Sequence, residues 1–222
     1  MLGGTRDGGI DVGSIMGMAK EISNLYKEIT EIAVVIGGGN FFRGTQADEF
    51  GMERAAADYM GMLGTCINAL ALQAVLESKF GIFTRVMSAI TMSELAEPYI
   101  RRKAIKHLTK GRIVIFAGGT GNPLFTTDTA ASLRAREVGA EIIVKATKVE
   151  GIYDCDPIKN EGAKKFQTLR YIDVISKNLQ VMDATAITMC MEAKMPILVC
   201  KMTGSDSILR ALVNQENGTL VN

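Results

Sequence analysis

The sequence predicts an α/β fold built on a largely parallel sheet, and three observations carry that prediction. Apolar positions alternate between helical spacing and short continuous runs along the whole chain. The short runs are rich in Val and Ile and stop at glycine-rich turns, as buried strands do. Between them lie helical segments of about ten residues or more, long enough to cross from one parallel strand to the next.

The elements follow in order. From Val12 through Ile15, Met16, Ile22, Leu25 and Ile29 the apolar steps are mostly three, four or seven, which predicts an amphipathic helix. Ile32-Ala33-Val34-Val35-Ile36 predicts a strand that ends at Gly37-Gly38-Gly39. A long helix rich in Met, Ala and Leu is expected from Met52 to Leu76, then a strand at Phe83–Met87, a helix near Pro98–Leu108 and a strand at Arg112–Phe116. A helix over Thr127–Val138 precedes a strand at Glu141–Lys145. The polar stretch Gly151–Leu169 reads as a surface excursion. The last third predicts a helix at Asp183–Lys194, a strand at Ile197–Cys200, a helix at Ser205–Leu212 and a closing strand at Thr219–Val221. No Ser/Pro-rich linker, composition shift or repeat divides the chain, so one domain is expected over residues 1–222.

Composition narrows the function classes. The 222 residues hold 25 Lys+Arg against 24 Asp+Glu, a net charge of +1, too little for sequence-independent binding to nucleic acid. No apolar run approaches the roughly 18–20 residues that span a bilayer, and the N-terminus carries no apolar signal core, so a cytoplasmic protein without a membrane partner is expected. Four scattered cysteines without a CxxC pair, and a single histidine, His107, argue against a zinc site, a disulfide framework and histidine triads.

In open α/β sheets ligands sit beyond the carboxyl ends of the strands, so the loops that follow strands carry the functional signal. The first such loop is Gly37-Gly38-Gly39-Asn40-Phe41-Phe42-Arg43-Gly44. Its glycines let backbone N–H groups converge on an anion, and Arg43 adds a charged fork; a plain tight turn is the alternative. It is neither a Walker A loop nor GxGxxG, since Phe42 stands where a third glycine would be. The second loop, Ala117 to Asp128, runs through Gly118, Gly119, Thr120, Gly121, Asn122, Pro123, Leu124, Phe125, Thr126 and Thr127 into a helix N-terminus, a ready anion cradle. Asp128 in that first turn also suits the helix dipole alone. The third runs from Lys145 to Pro157. Lys145, read as the last residue of its strand, is a candidate to neutralise transferring phosphoryl oxygens, or else a solvated lysine. Tyr153 suits stacking on a base and Asp156 suits a ribose hydroxyl, although Asp-Pro also starts ordinary turns. Two anion cradles suggest two phosphorylated ligands.

Together these loops resemble the bacterial-type UMP kinases of the amino-acid-kinase superfamily. The resemblance rests on Val35-Ile36-Gly37-Gly38-Gly39-Asn40-Phe41-Phe42-Arg43-Gly44, on Ala57-Asp58-Tyr59-Met60-Gly61-Met62-Leu63, on Thr120 to Asp128 (Thr-Gly-Asn-Pro-Leu-Phe-Thr-Thr-Asp) and on Lys145 to Tyr153 (Lys-Ala-Thr-Lys-Val-Glu-Gly-Ile-Tyr). Val181-Met182-Asp183 and Gly218-Thr219-Leu220 extend it almost to the C-terminus.

The resemblance implies a three-layer αβα sandwich, with an acceptor half over about 1–140 and an ATP half over about 141–222, that transfers the γ-phosphoryl of Mg-ATP to UMP in pyrimidine nucleotide biosynthesis. Carried over, Gly38, Asp58 and Thr120, Gly121, Asn122, Pro123, Leu124, Phe125, Thr126 and Thr127 would hold UMP. Gly39, Arg43, Thr147, Tyr153 and Asp156 would hold ATP, and Lys145, Asp128 and Arg43 would act in catalysis, with Asp128 positioning the lysines. Mg²⁺ would come with ATP. Gly4, Thr5, Arg6, Asp7, Gly8 and Gly9 match the segment through which GTP activates many relatives; UTP inhibition and a homohexamer are implied as well. Relatives also begin with an apolar strand ending in Lys-x-Ser-Gly-Glu, which this sequence lacks ahead of Met1-Leu2-Gly3-Gly4. The expectation is a start upstream of Met1 or a slowed kinase. Two rival readings stand beside this one, a nucleotide-binding sensor without catalysis and a kinase of another branch acting on an amino acid or carbamate.

Overall fold

A computed structural model describes residues 9–42, 46–47, 50–157, 159–160, 162–179, 181–202, 206–214 and 217–222. The chain folds as two compact units, Met1–Ala130 and Ala131–Asn222, each with its own four-stranded ladder. The α/β class and the parallel pairing of strands are as the apolar pattern predicts.

In the first unit, α1 (Val12–Leu25) opens on Asp11, whose carboxylate accepts the Ser14 N–H at 2.7 Å and caps the first turn. Hydrogen bonding from the Ser14 side chain, and then from its N–H, holds the Asp11 carboxyl below its ordinary range. Ile15, Ala19, Ile22 and Leu25 form the buried face of α1. β1 (Ala33–Val35) is followed by α2 (Arg54–Phe80), which ends at Gly81, a left-handed residue at φ +66° whose N–H bonds the Glu77 carbonyl. Next come β2 (Thr84–Ser88), the short β3 (Glu97–Pro98), α3 (Arg101–Leu108) and β4 (Ile113–Ala117).

The ladder order is β1-β4-β2-β3, all parallel, with Val34 opposite Ile115 and Val86 opposite Ile115 on its other side. Ile113, Ile115 and Ala117 share one core with α1 and with Cys66, Ala69, Leu72 and Leu76 of α2. The period of two turns Val114 and Phe116 to the opposite face, where Phe116 meets Tyr99 edge to face with ring centroids 5.5 Å apart.

By length and composition α2 is apolar enough to cross a membrane. In this fold it is the core helix of its unit, with Ala57, Ala69, Leu72 and Leu76 at or near zero exposure.

α4 (Thr127–Val138) carries the division between the units at Ala130–Ala131. The second unit continues with β5 (Ile143–Thr147), β6 (Thr168–Leu169), α5 (Tyr171–Ser176), α6 (Ala184–Ala193), β7 (Ile197–Lys201), α7 (Ser207–Asn214) and β8 (Gly218–Val221). Its ladder order is β5-β7-β8-β6. β7 and β8 run antiparallel, and the other two pairings are parallel. Ile143, Ile187, Cys190, Ile197, Val199 and Val221 share the core. Ser132 on α4 donates to the Ala186 carbonyl on α6 and accepts from the Cys190 thiol.

The excursion Gly151–Leu169 is less superficial than its polarity suggests. Ile152 and Leu169 are buried, and Tyr153 and Lys165 pair as an antiparallel bridge. Buried Thr219 of β8 holds the neck of the excursion. Its hydroxyl accepts the Ile152 N–H and donates to the Phe166 carbonyl.

Candidate active site

In the first unit the glycine loops that follow β1 and β4 converge on one face of α2. Asp58, Gly61, Thr65 and Asn68 recur at steps of three and four, so they share that face. At Gly38 the two backbones come so close that an added Cβ would lie 2.1 Å from the Gly61 carbonyl oxygen and 2.7 Å from the Thr65 nitrogen, which makes glycine obligatory there. The Gly38 carbonyl accepts the N–H groups of Phe41 and Phe42 and closes the turn.

Thr65, buried in α2, accepts the Gly118 N–H at 2.7 Å and so anchors the start of the second loop. Asn68, fully buried, donates to the Gly37 carbonyl at 2.7 Å. Asp58 holds the middle of the second loop: one carboxylate oxygen accepts the Leu124 N–H at 2.8 Å and the other accepts Arg54 Nε at 2.9 Å. Leu124 needs that grip, because its φ of +71° is a left-handed conformation that costs a leucine about 1–2 kcal/mol. The loop ends where the Thr126 hydroxyl accepts the N–H groups of Asp128 and Thr129 at 3.1 and 3.2 Å. Two donors that the sequence assigned to an anion cradle are therefore occupied by a cap. The side-chain hydroxyl of Thr127 lies beside Gly37, 3.4 Å from where a Cβ would stand. Gly38, Asp58 and the Thr120–Thr127 segment are thus brought together.

In the second unit β5 runs on to Thr147, and Lys145, opposite Val199, is the middle residue of its strand. That corrects the reading of Lys145 as a strand end, because Ala146 and Thr147 continue the pairing opposite Cys200 and Lys201. Thr147 closes the turn beyond β5: its hydroxyl donates to the Val149 carbonyl at 2.6 Å and accepts the Val149 N–H at 3.2 Å. Tyr153 sits at the neck of the excursion, and burial, helped by the Glu150 charge, raises its phenol above the ordinary range, so it stays protonated at neutral pH. Asp156 is half exposed, 3.8 Å from the Lys159 ammonium. The one histidine has both ring nitrogens engaged, with Glu97 at 3.1 Å and Arg112 at 3.1 Å.

Comparisons with known proteins bear on what these loops are. Residues 2–201 match the amino acid kinase family. The UMP kinase of Bacillus anthracis is 38% identical, with a TM-score of 0.94 over 100% of this chain and 91% of that one. The chain belongs to the amino acid kinase family, among its bacterial-type UMP kinases. The UMP kinase of Ureaplasma parvum agrees, with 35% identity and a TM-score of 0.93 over 100% of this chain and 94% of that one. The uridylate kinase of Archaeoglobus fulgidus, at 26% identity and a TM-score of 0.72, covers 96% and 94% of the two chains.

As a member of that family the chain is a phosphotransferase, and its carried-over residues divide by unit. Gly38, Asp58, Thr120–Thr127 and Asp128 stand in the first unit; Lys145, Thr147, Tyr153 and Asp156 stand in the second. Arg43, and Gly4, Thr5, Arg6, Asp7 and Gly8 of the segment matched to GTP activation, lie outside the described residues. Gly9 is described and is joined to Asn40 by two hydrogen bonds, its N–H donating to the Asn40 carbonyl at 3.1 Å and its carbonyl accepting from Asn40 Nδ2 at 2.7 Å.

The sequence reading missed Asn40, Thr65, Asn68 and Thr219. Two of them had a legible signal. Thr65 and Asn68 interrupt an otherwise Met/Ala/Leu-rich helix at the spacing of Asp58 and Gly61, and a polar stripe on a buried helix face needs partners. Thr219 had none, since one threonine in a closing strand looks like any β-former.

Proposed function

We propose that this chain transfers the γ-phosphoryl group of Mg-ATP to UMP, giving UDP for pyrimidine nucleotide biosynthesis. The observation that carries the reading is the assembly on α2, where Asp58 and the Thr120–Thr127 segment, 66 residues apart at the Asp58–Leu124 bond, meet beside the Gly38 turn. A carboxylate beside two glycine-rich turns suits an acceptor that carries both a sugar hydroxyl and a phosphate. The acceptor oxygen of a nucleoside monophosphate is ionised near neutral pH, so the reaction needs no histidine base. The engagement of His107 with Glu97 and Arg112 accords with that. What the reaction needs is positioning, and positive charge where negative charge builds up.

In this reading Gly38, Asp58 and Thr120–Thr127 hold UMP. Gly39, Arg43, Thr147, Tyr153 and Asp156 hold ATP. Lys145 and Arg43 face the transferring phosphoryl group, and Asp128 serves as the positioning carboxylate. Among the described residues no three His, Cys, Asp or Glu side chains gather to cage a cation. In this reading Mg²⁺ arrives on the phosphates of ATP, the usual mode for this ion. GTP activation through Gly4–Gly9, UTP inhibition and a cytoplasmic location belong to the same reading.

So does a homohexamer. Tyr59, Met60, Leu63 and Ile67 leave an exposed apolar stripe on α2, suited to burial against another copy. A hexameric mass by light scattering at micromolar concentration is expected, and a monomer would refute the assembly.

The test of the reaction is product formation from ATP with UMP, glutamate, aspartate and carbamate offered in turn. UDP from UMP alone is the expected result. A product from another acceptor, or UMP binding without turnover, would overturn it in favour of a different kinase or a sensor.

A further inference from the structure

The two asparagines missed by the sequence reading form a closed amide pair. Asn40 Nδ2 donates to Asn68 Oδ1 at 3.0 Å and Asn68 Nδ2 donates to Asn40 Oδ1 at 2.7 Å. The second proton of each amide goes to a backbone carbonyl, Gly37 for Asn68 and Gly9 for Asn40, both at 2.7 Å. All four N–H protons are used. The two backbone carbonyls also fix which way each amide points, because a flip would set oxygen against oxygen.

One face of α2 sets the turn after β1 in two ways, by the bonds of the pair and by close contact. Asn68 draws in the Gly37 carbonyl, and the Gly61 carbonyl leaves the adjacent Gly38 no room to approach further. Nothing in phosphoryl transfer or in core packing requires an amide at either position. A leucine would fill the space of Asn68 in a helix whose neighbours are Ile67, Ala69 and Leu70. What the amides alone supply is four directed bonds that join α2, the glycine turn and the chain at Gly9.

We propose that Asn40 and Asn68 are a positioning pair that sets the acceptor turn of the UMP site and ties it to the chain at Gly9. This rests on the reading of Gly38 as part of the UMP site. Neither residue touches the nucleotide; both act through the backbone they hold.

The test uses the full-length chain and four proteins: wild type, Asn40→Ala, Asn68→Ala and the double variant. Titration calorimetry measures UMP and ATP separately. Leaving the Gly37 carbonyl without its buried donor should weaken UMP binding at least about fivefold in Asn68→Ala, with a distinctly smaller loss for ATP, of whose proposed set only Gly39 lies between the two anchored residues. In the double variant the UMP loss should fall well short of the product of the two single losses, because the residues act as one unit. A purely structural role would instead lower the melting temperature and weaken both nucleotides alike, and that result overturns the proposal. Asn40 is only partly buried, so Asn40→Ala keeps the test open should Asn68→Ala fail to fold. Wild-type affinity for UMP in Asn40→Ala overturns the pairing. A wild type that does not bind UMP overturns the acceptor reading itself, and the inference with it.

Discussion

Replacing Gly38 by alanine sets a methyl carbon 2.1 Å from the Gly61 carbonyl oxygen, 2.7 Å from the Thr65 nitrogen and 3.0 Å from the Gly64 carbonyl carbon. All three neighbours are helix backbone, which cannot swing aside as a side chain would. Ordinary carbon–oxygen contacts begin near about 3.3 Å, so the turn must retreat by more than about 1 Å. The Asn68–Gly37 bond, now 2.7 Å, then exceeds hydrogen-bond length. Overpacking costs about 1–3 kcal/mol and a buried carbonyl left without its donor about 1–3 kcal/mol. At about 2–4 °C per kcal/mol for a chain of this size, the melting temperature should fall by about 5–20 °C. UMP affinity should fall as well, since the displaced turn is part of the proposed acceptor site. Gly17→Ala is the control. Gly17 lies in the exposed interior of α1 with no atom within 4 Å of an added Cβ, so the same substitution there should stabilise by about 0.5–1 kcal/mol. Calorimetric melting and a UMP titration on both variants decide the matter. If Gly38→Ala melts within about 2 °C of wild type and binds UMP as tightly, the close approach of turn and helix is wrong.

Asp58→Asn keeps an oxygen for one of its two partners and sets an amide against the other, so the Michaelis constant for UMP should rise roughly tenfold while that for ATP changes little; equal shifts in both would count against an acceptor role. Lys145→Met should slow single-turnover transfer by about 10²–10³ and leave the UMP dissociation constant nearly unchanged, which quench-flow and titration would show. Stability should decline in alkali. Burial raises the Cys190 thiol and the Tyr171 phenol above their ordinary values of 9.0 and 10.0, so the unfolded chain loses these protons first. Their contribution is complete below about pH 9 and disappears as pH climbs through the raised values. Urea midpoints from pH 7 to 11 should show the decline, and Cys190→Ala with Tyr171→Phe should flatten it.

Much of the fold was legible because local and global signals agree. The helix over Thr127–Val138 was read to the residue, since Thr126 caps it and Gly139, at φ +74°, follows it. The strand after it was read two residues too early at both ends, Glu141–Lys145 for Ile143–Thr147, because a lysine in an apolar run looks like a strand end while Ala146 and Thr147 go on pairing. β3, β6 and α5 are two to six residues long, and no periodicity can be seen over so few positions. The antiparallel turn of β8 is set by tertiary pairing with β7, which an apolar run does not encode. The acceptor loops were recognised from their glycines and threonines, and the way Asp58 holds Leu124 was not, because that bond closes over 66 residues that include β2, β3 and β4. Asn68 shows the same limit at finer scale: its spacing marks a face, but only the fold reveals that Gly37 and Asn40 wait on it.

The Thr219 hydroxyl gives the second unit a drawstring. Because one oxygen receives Ile152 and reaches Phe166, the two legs of the excursion are cinched at their base by a residue of the closing strand. Everything beyond the Tyr153–Lys165 bridge, Asp156 included, is then free to differ in length or sequence without loosening the sheet. In the proposed reading, where Tyr153 and Asp156 hold ATP, the fit to a donor nucleotide can be retailored there while β8 keeps the knot tied.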